Sequence, residues 1–100
     1  MRGLRLTPAV HEHFRAIRRY TLARFGRAQA DQYEDKIAEG LDLILRYPEI
    51  GLTVDQLQPG LRRFQIAQHR VFYRVTSDAI EIKAVLHESQ LPERHFTRFP

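Results

Sequence analysis

Residues 59–75 constrain the fold of this chain more than any other stretch. Pro59-Gly60 is a turn pair. Leu61-Arg62-Arg63-Phe64-Gln65-Ile66 and His69-Arg70-Val71-Phe72-Tyr73-Arg74-Val75 follow as two runs that alternate apolar with polar residues, mostly basic, separated only by Ala67-Gln68. Successive side chains of a strand point to opposite faces, so a period of two predicts a β-hairpin. One of its faces packs on a core and the other presents arginine. By parity Tyr73 joins Val71 and Val75 in the core, and Arg74 is the exposed group. Ser77-Asp78 makes the next turn, and residues 79–87 read as a further long strand. There Ile80, Ile82, Ala84 and Leu86 share one face, and Glu81, Lys83, Val85 and His87 the other.

The residues before the hairpin read as the helical layer that covers its apolar side. Leu4-Arg5-Leu6 is a brief first strand. Thr7-Pro8 then combines an N-cap hydroxyl with a proline at the first helical position, where its missing N–H costs nothing. Val10, Phe14, Ile17, Thr21 and Phe25 recur at helical spacing, and Gly26 stands where a left-handed cap ends the helix. Ala30, Tyr33, Ile37, Leu41 and Ile44 form the stripe of a second helix, stopped by Tyr47-Pro48. The exposed face of the first helix is basic (Arg15, Arg18, Arg19, Arg24). That of the second is acidic (Asp31, Glu34, Asp35, Glu39, Asp42). So short a connection predicts an antiparallel helical hairpin, its charges forming solvated faces with some weak inter-helix ion pairs. Residues 49–58 read as a loop, and 92–100 as a frayed tail or a single helical turn. The expected architecture is α+β: an antiparallel sheet packed on an N-terminal α-helical hairpin, in the order β-α-α-β-β-β, as a single domain over residues 1–100.

Composition narrows the chemistry. The 100 residues hold no cysteine, so there is no disulfide framework and no thiolate. No apolar run approaches a bilayer span and the N-terminus lacks an h-region, so a cytoplasmic protein without membrane contact is expected. The net charge is +4, and only Lys36 and Lys83 among the 16 cationic residues are lysines. Guanidinium groups suit bidentate contacts to carboxylate or phosphate, and an arginine-preferring genome is the bland alternative. No cofactor and no metal are expected: His11 and His13 lie two apart on a helix, hence on different faces, and no Cys/His/Asp cluster has ligand spacing. There is neither a phosphate-binding glycine loop nor a nucleophile elbow. A metal-free ribonuclease would need a base, an acid and cations at the phosphate. His87, Lys83, Arg63, Arg74 and Tyr73 offer the right types, with His87 the best single candidate. The structural alternative is a strand-end histidine bonded to a neighbouring loop.

Taken in order, several short patterns form a resemblance: a Leu-Thr-Pro-Ala start, Ile17-x-x-Tyr20, Phe25-Gly26-x-x-Gln29-Ala30 leading to Tyr33, and Tyr47-Pro48-x-x-Gly51. Pro59-Gly60-Leu61-Arg62-Arg63, His69-x-x-Phe72-Tyr73-Arg74 and Val85-Leu86-His87 complete the set. Over residues 4 to about 96 the chain resembles the ParE branch of the RelE/ParE toxin superfamily. The resemblance implies the toxin of a type II toxin–antitoxin system, neutralised by a ParD-like antitoxin that wraps it. It also implies that the toxin binds and poisons DNA gyrase without chemistry of its own. An exposed sheet edge and an apolar groove beside the helices suit strand addition and helix-in-groove binding. The antitoxin-binding candidates are Phe14, Ile17, Tyr33, Ile37, Arg70 and Phe72. The target-binding candidates are Arg62, Arg63, Arg74, Lys83 and His87. The RelE branch instead cleaves messenger RNA on the ribosome, for which His87, Arg63, Arg74 and Lys83 would be the working set. Here Glu88 and Ser89 follow His87, no tyrosine stands beside it, and Lys83 is the only lysine of the sheet. These departures favour the ParE branch. A basic nucleic-acid-binding or interaction domain without toxicity is the third reading, direct nucleic-acid contact being secondary in the first.

Overall fold

In the computed structural model, which describes residues 2–96, the elements run β1 (Gly3–Leu6), α1 (Pro8–Phe25), α2 (Arg27–Arg46), β2 (Leu52–Thr53), β3 (Leu61–Ile66), β4 (His69–Val75), β5 (Ala79–His87) and α3 (Pro92–His95). The helix signals act as read. The Thr7 hydroxyl accepts from the Val10 N–H at 3.1 Å, with Pro8 in the first turn. Gly26, at φ 90° and ψ 175°, ends α1 and caps α2 in one residue, a conformation open to glycine alone. α2 stops before Tyr47. The helices pair along their length, and Arg18 crosses the seam to Asp31 at 3.0 Å and Glu34 at 2.8 Å, the inter-helix ion pairs expected of basic and acidic faces.

The five strands are ordered β1-β5-β4-β3-β2. The β3–β4 hairpin pairs Leu61 with Arg74 and Ile66 with His69, turning through Ala67-Gln68, with Ala67 at φ 52°. β4 and β5 are antiparallel, but β1 runs parallel to β5 with Leu4 opposite Ile80, so the sheet is mixed. The connection between these two parallel strands runs through the helical hairpin and then β2, β3 and β4, long enough for the crossover that parallel pairing requires. Part of the segment read as loop is strand: Leu52 and Thr53 pair with Arg63 and Arg62. α3 is the single helical turn foreseen for the tail. The rest of that expectation, residues 97–100, lies outside the described residues.

Two parity expectations are corrected. Along β5 the pairing steps from Phe72↔Ala84 to Tyr73↔Ile82, leaving Lys83 as the extra residue of a bulge. A bulge reverses the alternation. Ile80, Ile82 and Val85 therefore face the helices in one core with Val10, Ile44, Ile66, Val71 and Tyr73. Ala84 and Leu86 face away, into a second core with Val54, Leu61, Phe72 and Phe96. The side of the sheet expected to present arginine is thus capped over its middle by the β2–β3 connection and the residue after α3. Phe72 is 0% exposed there, so it is removed from the antitoxin-binding candidates. Its ring lies 5.2 Å from that of Phe96.

Tyr73 is also 0% exposed, on the helix side. Its hydroxyl donates to the Pro48 carbonyl at 2.8 Å and accepts from the Gly51 N–H at 2.9 Å, fixing the chain as it leaves α2. A Cβ on Gly51 would sit 2.6 Å from that hydroxyl and 2.8 Å from the Arg63 carbonyl, so only glycine fits. Burial raises the Tyr73 pKa, against the smaller opposing effects of Gly51 and Arg62. Tyr73→Phe should cost about 1–3 kcal/mol, because the buried Gly51 N–H and the half-buried Pro48 carbonyl lose their partner. A denaturant midpoint unchanged from that of the parent chain would show that the hydroxyl does not hold this connection.

Candidate functional site

The structure gathers four of the six antitoxin-binding candidates. Phe14 and Ile17 from α1, with Tyr33 and Ile37 from α2, line one groove of about 310 Å³ along the helix–helix seam. Leu6 and Leu41 extend its apolar lining, and Arg15, Arg18 and Glu34 supply its polar contacts. The spacing of the two stripes explains the convergence: each helix turns one apolar stripe to the sheet and leaves its flank half-buried beside the other. Arg70 is not part of the groove. It lies on the opposite side of the sheet, where its Nε donates to Gln65 Oε1 at 3.2 Å, beside a shallow hollow shared with Arg63, Glu88 and Glu93. The sheet also has an open edge. β2 covers β3 only at Arg62 and Arg63, so from Phe64 to Ile66 no strand lies beside the outer edge of β3 among the described residues.

The target-binding candidates are not brought together. Arg62 and Arg63 are neighbours in a strand and face opposite sides. Arg62 Nη1 donates to the Gly51 carbonyl at 2.8 Å and the Glu49 carbonyl at 3.2 Å, bracing the same connection that Tyr73 holds. Arg74, expected to be free, is half-buried under the β2–β3 loop, with Nη2 on the Pro59 carbonyl at 3.0 Å and Gln58 Oε1 at 3.3 Å. Lys83 pairs with Glu81 at 3.2 Å, and Glu81 in turn with Arg5 at 3.4 Å. Arg63 makes no ion pair among the described residues. The ribonuclease set His87, Arg63, Arg74 and Lys83 is therefore spread over both faces and both ends of the sheet.

His87 has unforeseen company. It stands directly across from His69 on β4, the rings edge to face with centroids 5.3 Å apart. His69 Nδ1 is bonded to the Tyr33 hydroxyl, so α2, β4 and β5 meet at this chain of three rings. His87 Nδ1 accepts from the Ser89 N–H at 3.1 Å and meets Ser89 Oγ at 2.8 Å, the loop-bonded arrangement weighed as its structural alternative. A cleft of about 520 Å³ opens over the two histidines toward Tyr20 and Phe25 of α1. Phe25, expected in the buried stripe, is 55% exposed at its rim. His69 was legible only as part of a pattern; its place opposite His87 follows once the turn at 67–68 sets the hairpin register. Among the described residues no three His, Cys, Asp or Glu side chains gather as a metal site, and no helix is long and apolar enough to cross a membrane.

Comparison with known proteins decides the family. The profile described as "ParE toxin of type II toxin-antitoxin system, parDE" matches residues 4–92. This chain belongs to the ParE toxin family. A relative named Toxin ParE1 from Mycobacterium tuberculosis (strain CDC 1551 / Oshkosh) is 34% identical over 91 residues, 90% of this chain and 93% of the relative. Another Toxin ParE1, from Caulobacter vibrioides, is 34% identical over 76 residues, 76% of this chain and 78% of its own length. The solved structure titled "Chromosomal ParDE TA system from P. aeruginosa" has a TM-score of 0.74 at 19% identity, covering 87% of this chain and 96% of that one. It shares the α+β fold. As a ParE toxin, the protein is a component of a type II toxin–antitoxin system.

The ring cluster makes a prediction about pH. Burial first, and then the neighbouring His87 imidazole, hold the His69 pKa below its ordinary 6.5, with Glu88 opposing. The unfolded chain therefore binds a proton that the folded chain resists. Stability should be complete above about pH 6.5 and fall as pH drops below it toward the depressed folded value. His69→Gln should flatten the change in denaturant midpoint between about pH 7.5 and 5.5, a window above most carboxylate titration. An equal slope in parent and variant would remove His69 as its source.

Proposed function

We propose that this ParE toxin acts by binding, with DNA gyrase as its target and a ParD-like antitoxin as its neutralising partner. The observation that carries the antitoxin half is the seam groove, in which Phe14, Ile17, Tyr33 and Ile37 form one apolar trough open to a partner's apolar side chains. The open edge of β3 offers main-chain hydrogen bonds to an extended segment of the same partner. Wrapping both elements with one flexible chain would neutralise the toxin without reaching any reaction centre. The binding-only half is supported by the dispersal of the cations: among the described residues no Lys or Arg lines the cleft at His87 to stabilise charge on a cleaved phosphate. A cytoplasmic setting goes with that target.

Ala38 lies in the groove lining and is exposed, so Ala38→Arg obstructs the trough without disturbing the core. It should weaken antitoxin binding at least about tenfold, the scale of a central contact, while Arg70→Ala on the other side of the sheet leaves it unchanged. Loss with Arg70→Ala alone would move the antitoxin to that face.

The target is read separately. Purified toxin added to gyrase and supercoiled plasmid should accumulate linear DNA, and His87→Ala should do so equally. Codon-phased cuts in messenger RNA in a translating extract, abolished by His87→Ala while gyrase stays unaffected, would establish the ribonuclease instead.

A further inference from the structure

A roomy hollow lies at the end of the sheet remote from the β3–β4 turn, and Arg62 is the one target-binding candidate that lines it. It measures about 810 Å³ and opens where the residue before β1, the C-terminal end of α2 and the start of β3 converge. Each of those places contributes an arginine: Arg2, Arg46 and Arg62. Glu49 is the sole acidic residue of the lining.

The way these arginines are held sets the hollow apart from the rest of the basic surface. Arg2 Nε donates to the Thr76 carbonyl at 2.7 Å. Arg62 Nη1 is shared between the Gly51 and Glu49 carbonyls. Main-chain oxygens are neutral, so each guanidinium is fixed in place while its charge stays uncompensated. The two Nη atoms of Arg2, and Nε and Nη2 of Arg62, have no partner among the described residues. Elsewhere the fixed arginines mostly meet carboxylates: Arg5 at Glu81, Arg18 at Asp31 and Glu34, Arg19 at Glu12. Arg46 is paired with Asp42 at 2.9 Å, and its guanidinium carbon lies 5.8 Å from the centroid of the Tyr47 ring. That ring is 58% exposed on the wall of the hollow, next to the exposed Ile50.

We propose that this hollow binds a nucleoside 5′-phosphate, the phosphate held by Arg2 and Arg62 and the base lying against Tyr47. Guanidinium forks match phosphate oxygens in geometry and charge, and pre-anchoring limits the side-chain entropy lost on binding. A flat, exposed aromatic ring accepts any base by stacking. The volume is that of a small-molecule site. An acidic peptide would satisfy the arginines but leave the Tyr47 face without a planar partner. This inference does not depend on gyrase being the target.

Calorimetric titration of the full chain with adenosine 5′-monophosphate tests it. Inorganic phosphate, adenosine and an octaglutamate peptide serve as comparators, with amide shifts in nuclear magnetic resonance locating the site. The nucleotide should bind more tightly than any comparator, shift the Tyr47, Ile50 and Gly60 amides, and weaken as salt rises. Arg2→Gln and Tyr47→Ala should each reduce affinity about tenfold, the scale of losing one charged hydrogen bond and one stacked base respectively, with thermal midpoints near that of the parent. No detectable binding at millimolar nucleotide, affinity retained in both variants, shifts confined to other residues, or an octaglutamate at least as tight would each overturn the assignment.

Discussion

Strand β4 is buried on both faces, and the shape of the molecule follows from that. Val71 and Tyr73 close the helix-side core, Phe72 closes the other, and all three have at most 1% exposure. A strand of this kind needs cover above and below, as parallel sheets have. Here the helical hairpin supplies one cover, and a β2–β3 connection with the chain around α3 supplies the other. β5 could not serve both layers with a strict alternation, since its apolar residues at 80, 82, 84 and 86 would all point one way. The bulge at Lys83 divides them, Ile80 and Ile82 to the helices, Ala84 and Leu86 to the second core.

This two-sided burial bears directly on function. An open arginine-bearing sheet would be a natural platform for a phosphate backbone, but the middle of that face is occupied by apolar cover. On that face Arg74 is held under the β2–β3 loop through the Pro59 carbonyl, while Arg62 points to the helix side and bonds the Gly51 carbonyl. On the helical layer, Phe14, Ile17, Tyr33 and Ile37 leave a half-buried apolar groove open. His69 and His87 are tied to one another, to Tyr33 and to Ser89.

The connection between α2 and β3 is the least regular part of the chain and carries a large share of these side-chain contacts. Tyr73 and Arg62 both bond to the short span around Pro48, Glu49 and Gly51. One residue fixes it from beneath with a neutral hydroxyl, the other with a guanidinium. The same span forms a wall of the hollow that carries Arg2 and Tyr47, so the device that joins the helical layer to the sheet also shapes the remote arginine site.

Local chemistry made much of this legible in the order of residues alone. The Thr7-Pro8 start, the Gly26 break, the stop at Tyr47-Pro48, the β3–β4 hairpin and the convergence of Phe14, Ile17, Tyr33 and Ile37 all depend on neighbours within a few positions. So does the ordered pattern that identified the ParE branch. What only the tertiary structure decided depends on residues far apart in the chain. The parallel seat of β1 beside β5, the bulge at Lys83, the cover that buries Phe72 and half-buries Arg74, and the meeting of His69 with His87 belong to this class. Period-two alternation tells which side chains share a face, but it is blind to one inserted residue and to whether a second layer will come to rest on the polar-looking side. That outcome is set by which distant segment supplies apolar side chains such as Val54 and Phe96, and no local pattern records it.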